Sequence, residues 1–381
     1  MKKTIIFGAG QYGKDALEKL GEECVAGFID NNPEKQRQLF CGKPVMSVEQ
    51  ALAMNLHILI ASEYSSSMER QLKDYGAKDY SIFLNHFHKY YETDSLVFNP
   101  YETIKEVETE EEWNNSDRFR YTRRSVYDEV ENLYKDTPLF EAVEVETINR
   151  CNGNCSFCPV NQKVDPRVRT VMAEDLFREI ICQLEELNYS GRFSVFSNNE
   201  PLLDERIVEL NQYAREHLPN AVIHMFTNGT LFTLDKFIAL ADVLDELIID
   251  NYHQELKLIK PCLEIQEYCK THPELTKKVT IVLRKPKEIL TSRGGTAPNR
   301  KQLIDYGKDR CVLPFKQMII RPDGKVSLCC NDAVGRYTLG DLNQEKMLDV
   351  WYGPRFREVR KSLYEGRERW GECKYCDTFY L

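Results

Sequence analysis

Short apolar runs alternate with helical patterns at the start of the chain. Thr4–Phe7 and Val25–Ile29 are rich in β-branched and aromatic residues, which is typical of buried strands. Between them, the apolar residues of 16–20 recur at the spacing of one helix face. Two more strands are predicted at 57–61 and 80–84, so this part of the chain is expected to form a small, doubly wound α/β unit.

A longer series of the same kind begins near residue 142. A helical pattern follows each of the first four of five predicted strands, and these strands lie at 143–148, 192–197, 222–227, 246–250 and 279–284. Repeated βα units of this length predict a parallel sheet, either open or rolled into a barrel.

Distinctive polar residues follow four of these strands. They are the cysteines of 151–158, the segment 198–201, Asn228 with Gly229, and the group Asp250, Tyr252 and His253. Because the carboxyl ends of parallel strands meet at one edge, where barrel enzymes carry their chemistry, we expect these residues to share one mouth.

Composition and charge narrow the class of protein. The 381 residues are 42% hydrophobic and 29% charged, which is enough for two to three folded domains of about 100–200 residues each. The net charge is 51 − 60 = −9, so we expect neither nucleic acid nor an anionic membrane as a partner. With no apolar run near the ~20 residues of a membrane span and no secretory pattern, the sequence predicts a soluble, cytoplasmic protein.

Thirteen cysteines in such a protein are better explained as metal or cluster ligands than as disulfides. Cys151, Cys155 and Cys158 form the pattern C-x3-C-x2-C, with no fourth cysteine or histidine nearby. A structural zinc ion prefers four ligands, whereas three thiolates can hold three irons of a [4Fe–4S] cluster and leave one iron open. An open iron is a site for a substrate or cosubstrate.

The C-x3-C-x2-C pattern, with Phe157 before its last cysteine, resembles that of the radical S-adenosylmethionine (radical SAM) family. Asn199, Glu200 and Pro201 match the end of the family's G-G-E-P motif, although asparagines stand where two glycines are common. The resemblance covers roughly residues 142–381 and implies a partial (β/α)6 TIM barrel over 142–295. It also implies that the open iron binds SAM, which one electron cleaves to a 5′-deoxyadenosyl radical that abstracts hydrogen. The residues expected to bind SAM are Phe157, Asn199, Glu200, Asn228 and Arg284.

A second cysteine group lies in the segment 296–381. Cys311, Gly324 and Cys329, followed by C-x2-C at Cys373 and Cys376, resemble the twitch module, a shortened relative of the SPASM extension of radical SAM enzymes. The resemblance implies a small α+β module in which these four cysteines hold one auxiliary [4Fe–4S] cluster that carries electrons. Cys330 competes with Cys329, but the x4 spacing favours Cys329, since adjacent strand residues point to opposite faces. Zinc is the alternative metal, because C-x2-C suits both.

The glycine turn after the first strand predicts a separate ligand site. Gly8, Gly10 and Gly13 follow a strand and open a helix, and Asp30 ends the next strand, as in dinucleotide-binding units. Residues 1–90 are therefore expected to form a Rossmann-like domain. The stretch 28–33 resembles that of small domains attached to surface-polysaccharide and nucleotide-sugar enzymes, so NAD and a nucleotide sugar are both candidate ligands. A docking or assembly role is the alternative.

Residues 91–141 are expected to connect the first domain to the second. Together the parts predict a radical SAM oxidoreductase that modifies a sugar, cyclitol or nucleotide sugar, with outcomes that include epimerisation or dehydration. Such chemistry resembles that of the twitch-containing dehydrogenase of aminocyclitol antibiotic biosynthesis. The expected electron donor is flavodoxin or ferredoxin. Alternatives are a peptide- or protein-modifying radical SAM enzyme and a non-catalytic iron–sulfur protein. Candidate acid–base residues are Asp250, Tyr252, His253 and Arg293.

Overall fold

The structure, a computed structural model, describes most of the chain. The described residues are 3–84, 89–91, 93–102, 109–115, 126–127, 129–161, 163–300, 304–371 and 373–379. Within these ranges no helix combines the length and the apolar character needed to cross a membrane.

The amino-terminal part is a six-stranded sheet with helices packed against it. Its strands are β1 (Thr4–Phe7), β2 (Val25–Ile29), β3 (Leu39–Phe40), β4 (Lys43–Met46), β5 (His57–Ile60) and β6 (Tyr80–Ile82), and its helices are α1 (Gln11–Leu20), α2 (Val48–Leu52) and α3 (Ser65–Asp74). The order is β3-β4-β2-β1-β5-β6, with every pair parallel except β3 and β4. Strand β1 lies in the middle of the sheet, with β2 and β4 on one side of it and β5 and β6 on the other. The chain therefore winds first in one direction and then in the other, which is the doubly wound topology expected from the sequence.

A second, nine-stranded sheet carries the site described below. Its strands are β7 (Val97–Phe98), β8 (Ala142–Val145), β9 (Arg192–Ser194), β10 (Val222–Thr227), β11 (Glu246–Tyr252), β12 (Val279–Arg284), β13 (Gln317–Ile320), β14 (Lys325–Ser327) and β15 (Thr338–Asp341). The order is β15-β14-β13-β8-β9-β10-β11-β12-β7. Strands β8 to β12 are parallel neighbours, as the βα pattern predicts.

Helices lie between or after these strands along the chain. They are α4 (Glu110–Asn115), α5 (Glu174–Glu186), α6 (Ile207–His217), α7 (Leu234–Val243), α8 (Lys260–Cys269), α9 (Leu313–Lys316), α10 (Met347–Trp351) and α11 (Pro354–Glu365). In α5 the buried residues Phe177, Ile180, Ile181 and Leu184 recur at the i, i+3, i+4, i+7 spacing of one helix face. This packing fixes the strand ends from which the functional loops leave.

Two strands extend the parallel sheet from outside the segment 142–295. Strand β13 pairs in parallel with β8, with Met318 opposite Val143, so the sheet continues into the carboxyl-terminal part of the chain. At the other edge β7, from the predicted connector, pairs in parallel with β12. The segment 142–295 thus supplies five of the parallel strands itself, and β13 supplies another.

The carboxyl-terminal part is built on an antiparallel meander of β13, β14 and β15. The turn between β13 and β14 contains Pro322, Asp323 and Gly324, as the sequence predicts. Gly324 has a φ of +80°, and an added Cβ would lie 2.4 Å from Asn343 Nδ2, so this turn requires glycine. Trp351 is fully buried and donates its indole N–H to the Pro138 carbonyl oxygen (2.9 Å), which attaches this part to the chain segment just before β8.

Candidate functional site

A cavity of about 350 Å³ lies at the carboxyl ends of the barrel strands. Its wall includes Glu144 on β8, the loop that follows β8, the segment 196–200 after β9, and the end of β10. Asp250 and Tyr252 on β11 also line it. The polar residues that follow these strands therefore line one cavity, as the sequence predicts.

Three thiols occupy the loop after β8. Cys151, Cys155 and Cys158 all line the cavity. Burial raises the pKa of Cys151 and of Cys155 to about 12, so each is a protonated thiol at neutral pH until a metal displaces the proton. The side-chain amide of Asn161 donates to the carbonyl oxygens of Cys155 (3.2 Å) and Cys158 (2.7 Å), which holds the loop in shape.

Glu200 is held at the end of β10. Its Oε1 accepts hydrogen bonds from Thr227 Oγ1 (2.6 Å) and Leu202 N (3.0 Å), and its Oε2 accepts one from Asn228 N (2.7 Å). Burial raises the pKa of this carboxyl to about 7, although the three hydrogen bonds oppose the shift. Asn228 in turn donates its side-chain amide to Asn152 Oδ1 in the cysteine loop (2.8 Å), so Glu200 and that loop are braced together.

Two asparagines stand where related motifs carry glycines, and each has a structural role. Asn199 Oδ1 accepts a hydrogen bond from Ser197 N (2.9 Å), while its Nδ2 lies in the cavity wall, buried and without a partner. Asn198 Nδ2 donates to the carbonyl oxygen of Cys330 (3.0 Å), and its Oδ1 accepts from Arg293. The side chain of Asn198 therefore joins the barrel mouth to the carboxyl-terminal part.

Glu144 and Arg293 are two ionisable residues in the wall of the cavity, and of these the sequence predicted only Arg293. Glu144 Oε2 accepts a hydrogen bond from Ser197 Oγ (2.6 Å), and burial raises the pKa of the Glu144 carboxyl, while the charge of Arg293 opposes the shift. Arg293 has a φ of +49°, and its Nε is buried without a partner. Glu144 was missed, but an acid in the apolar strand before the cysteines was a signal that could have shown it.

The remaining predicted residues divide into two groups. Asp250, Tyr252 and Phe157 line the cavity, and the rings of Phe157 and Tyr252 lie 6.1 Å apart. Arg284 is not among the described lining residues, and its Nε lies 3.8 Å from Asp250 Oδ1 and 3.4 Å from a Glu288 carboxylate oxygen.

His253 is likewise absent from the lining residues in the described part of the chain. Its Nδ1 accepts a hydrogen bond from the backbone N–H of Glu255 (3.2 Å) in an exposed loop. The structure thus brings Asp250, Tyr252 and Arg293 to the cavity and leaves Arg284 and His253 outside its wall.

The second cysteine group surrounds a smaller cavity of about 20 Å³ in the carboxyl-terminal part. All four predicted ligands line it, and they are Cys311, Cys329, Cys373 and Cys376. Cys330 lines the larger cavity instead, as expected for adjacent residues that point to opposite sides. Arg367 also lines the smaller cavity, and its charge opposes the effect of burial, which raises the pKa of Cys311 and of Cys373.

Both donor sets fit iron–sulfur clusters. Within the described residues no three His, Cys, Asp or Glu side chains converge closely enough to hold a single metal ion. Thiolates are the ligands that hold such clusters, and the two cysteine groups place three of them beside the larger cavity and four around the smaller one. Three thiols beside the larger cavity would leave one iron open, and four around the smaller one would saturate it.

In the glycine turn of the first domain, close packing explains the glycines at positions 8 and 13 but not the glycine at position 10. A Cβ added at Gly8 would lie 2.3 Å from the Ala61 carbonyl oxygen, and one added at Gly13 would lie 1.9 Å from the Gly8 carbonyl oxygen. A Cβ added at Gly10 would have no neighbour within 4 Å. Asp30 Oδ2 accepts from Ala9 N (3.2 Å) and pairs with Lys35 (2.9 Å). Asp30 thus stabilises the turn itself, and a nucleotide ligand stays a prediction.

Comparisons with known proteins define the class. Residues 145–261 match the radical SAM superfamily, and residues 311–377 match SPASM, an iron–sulfur cluster-binding domain. The chain is a radical SAM enzyme with a C-terminal SPASM module, which confirms the resemblance seen in the sequence. Its cofactors are accordingly SAM and [4Fe–4S] clusters, including an auxiliary cluster.

Individual relatives narrow the comparison further. The chain is 26% identical over 245 residues to an S-adenosyl-L-methionine-dependent 2-deoxy-scyllo-inosamine dehydrogenase of Niallia circulans, covering 63% of this chain and 94% of the relative. The structure of BtrN in complex with AdoMet and 2-DOIA shares the fold, with a TM-score of 0.54, 24% identity, and coverage of 63% of this chain and 93% of that one. Streptococcus suis SuiB bound to S-adenosylmethionine is more distant, at a TM-score of 0.40 and 15% identity, with coverage of 64% of this chain and 74% of that one.

Proposed function

We propose that the enzyme oxidises a secondary alcohol of a cyclitol, aminocyclitol or related sugar-like substrate to a ketone. The observation that carries the proposal is the composition of the larger cavity, where three thiols, the Glu144 carboxyl and the Arg293 guanidinium face one space. The Niallia circulans relative, named a 2-deoxy-scyllo-inosamine dehydrogenase, supports the substrate class.

We assign Cys151, Cys155 and Cys158 to the SAM-binding cluster, and the four cysteines of the smaller cavity to the auxiliary one. When bound, the cofactors supply a radical that removes one hydrogen atom from the alcohol carbon and an acceptor for the electron that remains. The hydroxyl group loses a proton as well, so hydrogen atom, proton and electron together make a two-electron oxidation. Glu200 and the free Asn199 amide are then the groups that bind SAM.

The chain itself must take the hydroxyl proton and hold the substrate. Glu144 is suited to the first task, because burial raises the pKa of its carboxyl and Ser197 orients it through Oε2. Arg293 carries a fixed positive charge and only donor groups, so it orients the substrate oxygen through its unpartnered Nε rather than acting as a base. This assignment favours Glu144 over the acid–base candidates chosen from sequence.

A second outcome, epimerisation, is favoured by Cys330. Its thiol lines the larger cavity, and burial raises its pKa to about 12, so it is S–H at neutral pH. A thiol can return a hydrogen atom to a carbon radical, which gives an epimer instead of a ketone. The sulfur radical left behind would need one electron from a flavodoxin- or ferredoxin-type donor and one proton to become a thiol again.

Product analysis separates the two outcomes. Enzyme with both clusters is incubated without oxygen in D2O with SAM, dithionite and a panel of cyclitols that includes 2-deoxy-scyllo-inosamine. Oxidation gives a ketone and 5′-deoxyadenosine in equal amounts, whereas epimerisation gives a deuterated epimer that Cys330→Ala removes. If no cyclitol on the panel yields 5′-deoxyadenosine above the substrate-free background, the proposed substrate class is wrong.

A pair of variants tests the role of Glu144. Glu144→Gln should lower kcat by about 100- to 10,000-fold, the usual contribution of a general base, without changing SAM affinity. The matched control is Glu246→Gln, since Glu246 is equally an acid on a barrel strand but begins β11 at the other end and pairs with Arg192 (3.1 Å). Equal losses of kcat in both variants would remove Glu144 from the proposed chemistry.

A further inference from the structure

Arg367 is a buried arginine in the carboxyl-terminal part, only 1% exposed. Its guanidinium donates hydrogen bonds to the backbone carbonyl oxygens of Cys376 (2.6 Å), Thr378 (2.9 Å) and Arg310 (2.8 Å). It lies 4.1 Å from the centre of the Phe379 ring, which covers one face. The side chain is therefore fixed in place beside the wall of the smaller cavity.

The partners of this guanidinium are backbone carbonyl groups and an aromatic ring. In the part of the chain that the structure describes, no carboxylate comes within ion-pairing distance of Arg367. Two other buried arginines do have one: Arg300 pairs with Asp377 (3.0 Å) and Arg167 with Glu146 (3.1 Å). Arg360, among the described residues, instead donates to the carbonyl oxygens of Pro314 and Trp351 and packs on aromatic rings. Because an unpaired buried charge is costly, a negative group bound beside Arg367 would be stabilised by this guanidinium.

The cavity that Arg367 lines can supply that charge. The four thiols of Cys311, Cys329, Cys373 and Cys376 surround the same small space. Four thiolates around a [4Fe–4S] core give a net negative group, which becomes more negative by one charge when it accepts an electron. A fixed positive charge in a low-dielectric interior stabilises the reduced form more than the oxidised form.

We propose that Arg367 is the counter-ion of the auxiliary cluster and raises its reduction potential, so that the cluster accepts an electron readily. That the auxiliary cluster accepts an electron during the reaction rests on the proposed function, whereas the effect of Arg367 on the reduction potential of the cluster does not. The potential is measured without substrate, so the two ideas can fail separately. A potential that depends on Arg367 in an enzyme that oxidises no cyclitol would support the counter-ion and count against the proposed reaction.

The test is an EPR-monitored redox titration of the reconstituted enzyme and its variants. In Arg367→Met the midpoint of the auxiliary cluster should fall by at least about 59 mV, a tenfold change for a one-electron couple, while the SAM-binding cluster keeps its midpoint. Arg367→Lys should retain most of the original potential, because the charge remains. Two controls remove a positive charge elsewhere: Arg360→Met, equally buried at 2% exposure but outside the smaller cavity, and Lys361→Gln, which is exposed on the surface of α11.

Two results would overturn the proposal. One is an unchanged auxiliary midpoint in Arg367→Met with full iron content, and the other is an equal shift in Arg360→Met. If Arg367→Met fails to retain the auxiliary cluster, Arg367→Lys decides the question. Retention of the cluster with lysine supports a need for positive charge, whereas loss in both variants shows that only the hydrogen bonds to the backbone matter.

Discussion

Glu200→Gln replaces a buried carboxylate in the larger cavity without changing its size. The pKa of Glu200 is raised from 4.5 to about 7, which corresponds to about 3 kcal/mol of unfavourable free energy for the charged form. No Lys or Arg in the described residues pairs with it. The amino group of bound SAM would offset the cost of burying the charged carboxylate, because a charge-assisted hydrogen bond contributes about 1.5–3 kcal/mol. The variant should therefore bind SAM about 10- to 150-fold more weakly at pH 8.

The pH dependence makes the prediction specific. With a pKa of about 7, only about a tenth of Glu200 is ionised at pH 6, so the advantage of the wild-type enzyme should shrink about tenfold between pH 8 and pH 6. The quantity to measure is the ratio of the two dissociation constants, by anaerobic equilibrium dialysis. The titration of SAM itself affects both enzymes equally and cancels in that ratio.

Glu246→Gln serves as the control, because Glu246 is buried at the opposite end of the barrel and should leave SAM affinity unchanged. A wild-type to Glu200→Gln ratio that stays constant from pH 6 to pH 8 would refute the raised pKa as the cause. Equal affinity in the two enzymes at pH 8 would refute contact between Glu200 and SAM.

Three further predictions concern the clusters and stability. Cys329→Ala should lose about four of about eight irons per chain, whereas Cys330→Ala should keep them all, as iron and sulfide quantitation will show. Gly13→Ala should lower the melting temperature markedly, because its Cβ would lie 1.9 Å from a backbone oxygen, whereas Gly10→Ala should change it little. Between about pH 4.5 and 7 the folded chain binds more protons at Glu200 than the unfolded chain does. The contribution of Glu200 to the free energy of unfolding therefore falls as pH rises. Thermal unfolding should accordingly show Glu200→Gln gaining on the wild-type protein from pH 5 to pH 8.

Sequence reasoning succeeded where local spacing determines the outcome. The C-x3-C-x2-C loop, the position of Glu200 after a strand, and the turn at Gly324 are each set within a few residues. The alternation of strands and helices likewise predicted the two α/β parts, since hydrophobic periodicity reports burial directly.

The rest depends on contacts between distant segments. Asn198 meets Arg293 and the Cys330 carbonyl oxygen across 95 and 132 residues, and no spacing rule anticipates such contacts. Arg284 ends a strand at the cavity mouth, as predicted, but Asp250 and Glu288 are close to its side chain. Whether a polar residue at a strand end faces the cavity is decided by these partners rather than by its position in the sequence.

The parallel pairing of β13 with β8 has a consequence for how the protein can be divided. Strand β8 leads into the loop of Cys151, Cys155 and Cys158, and its neighbour β13 lies between Cys311 and Cys329 in the chain. The separation of these cysteines is therefore set by strand register and not by a flexible hinge. A truncated chain that ends at residue 295 would leave β8 with unpaired amide and carbonyl groups along an open edge. We expect such a fragment to aggregate, so the two cysteine groups are best produced and engineered together in one chain.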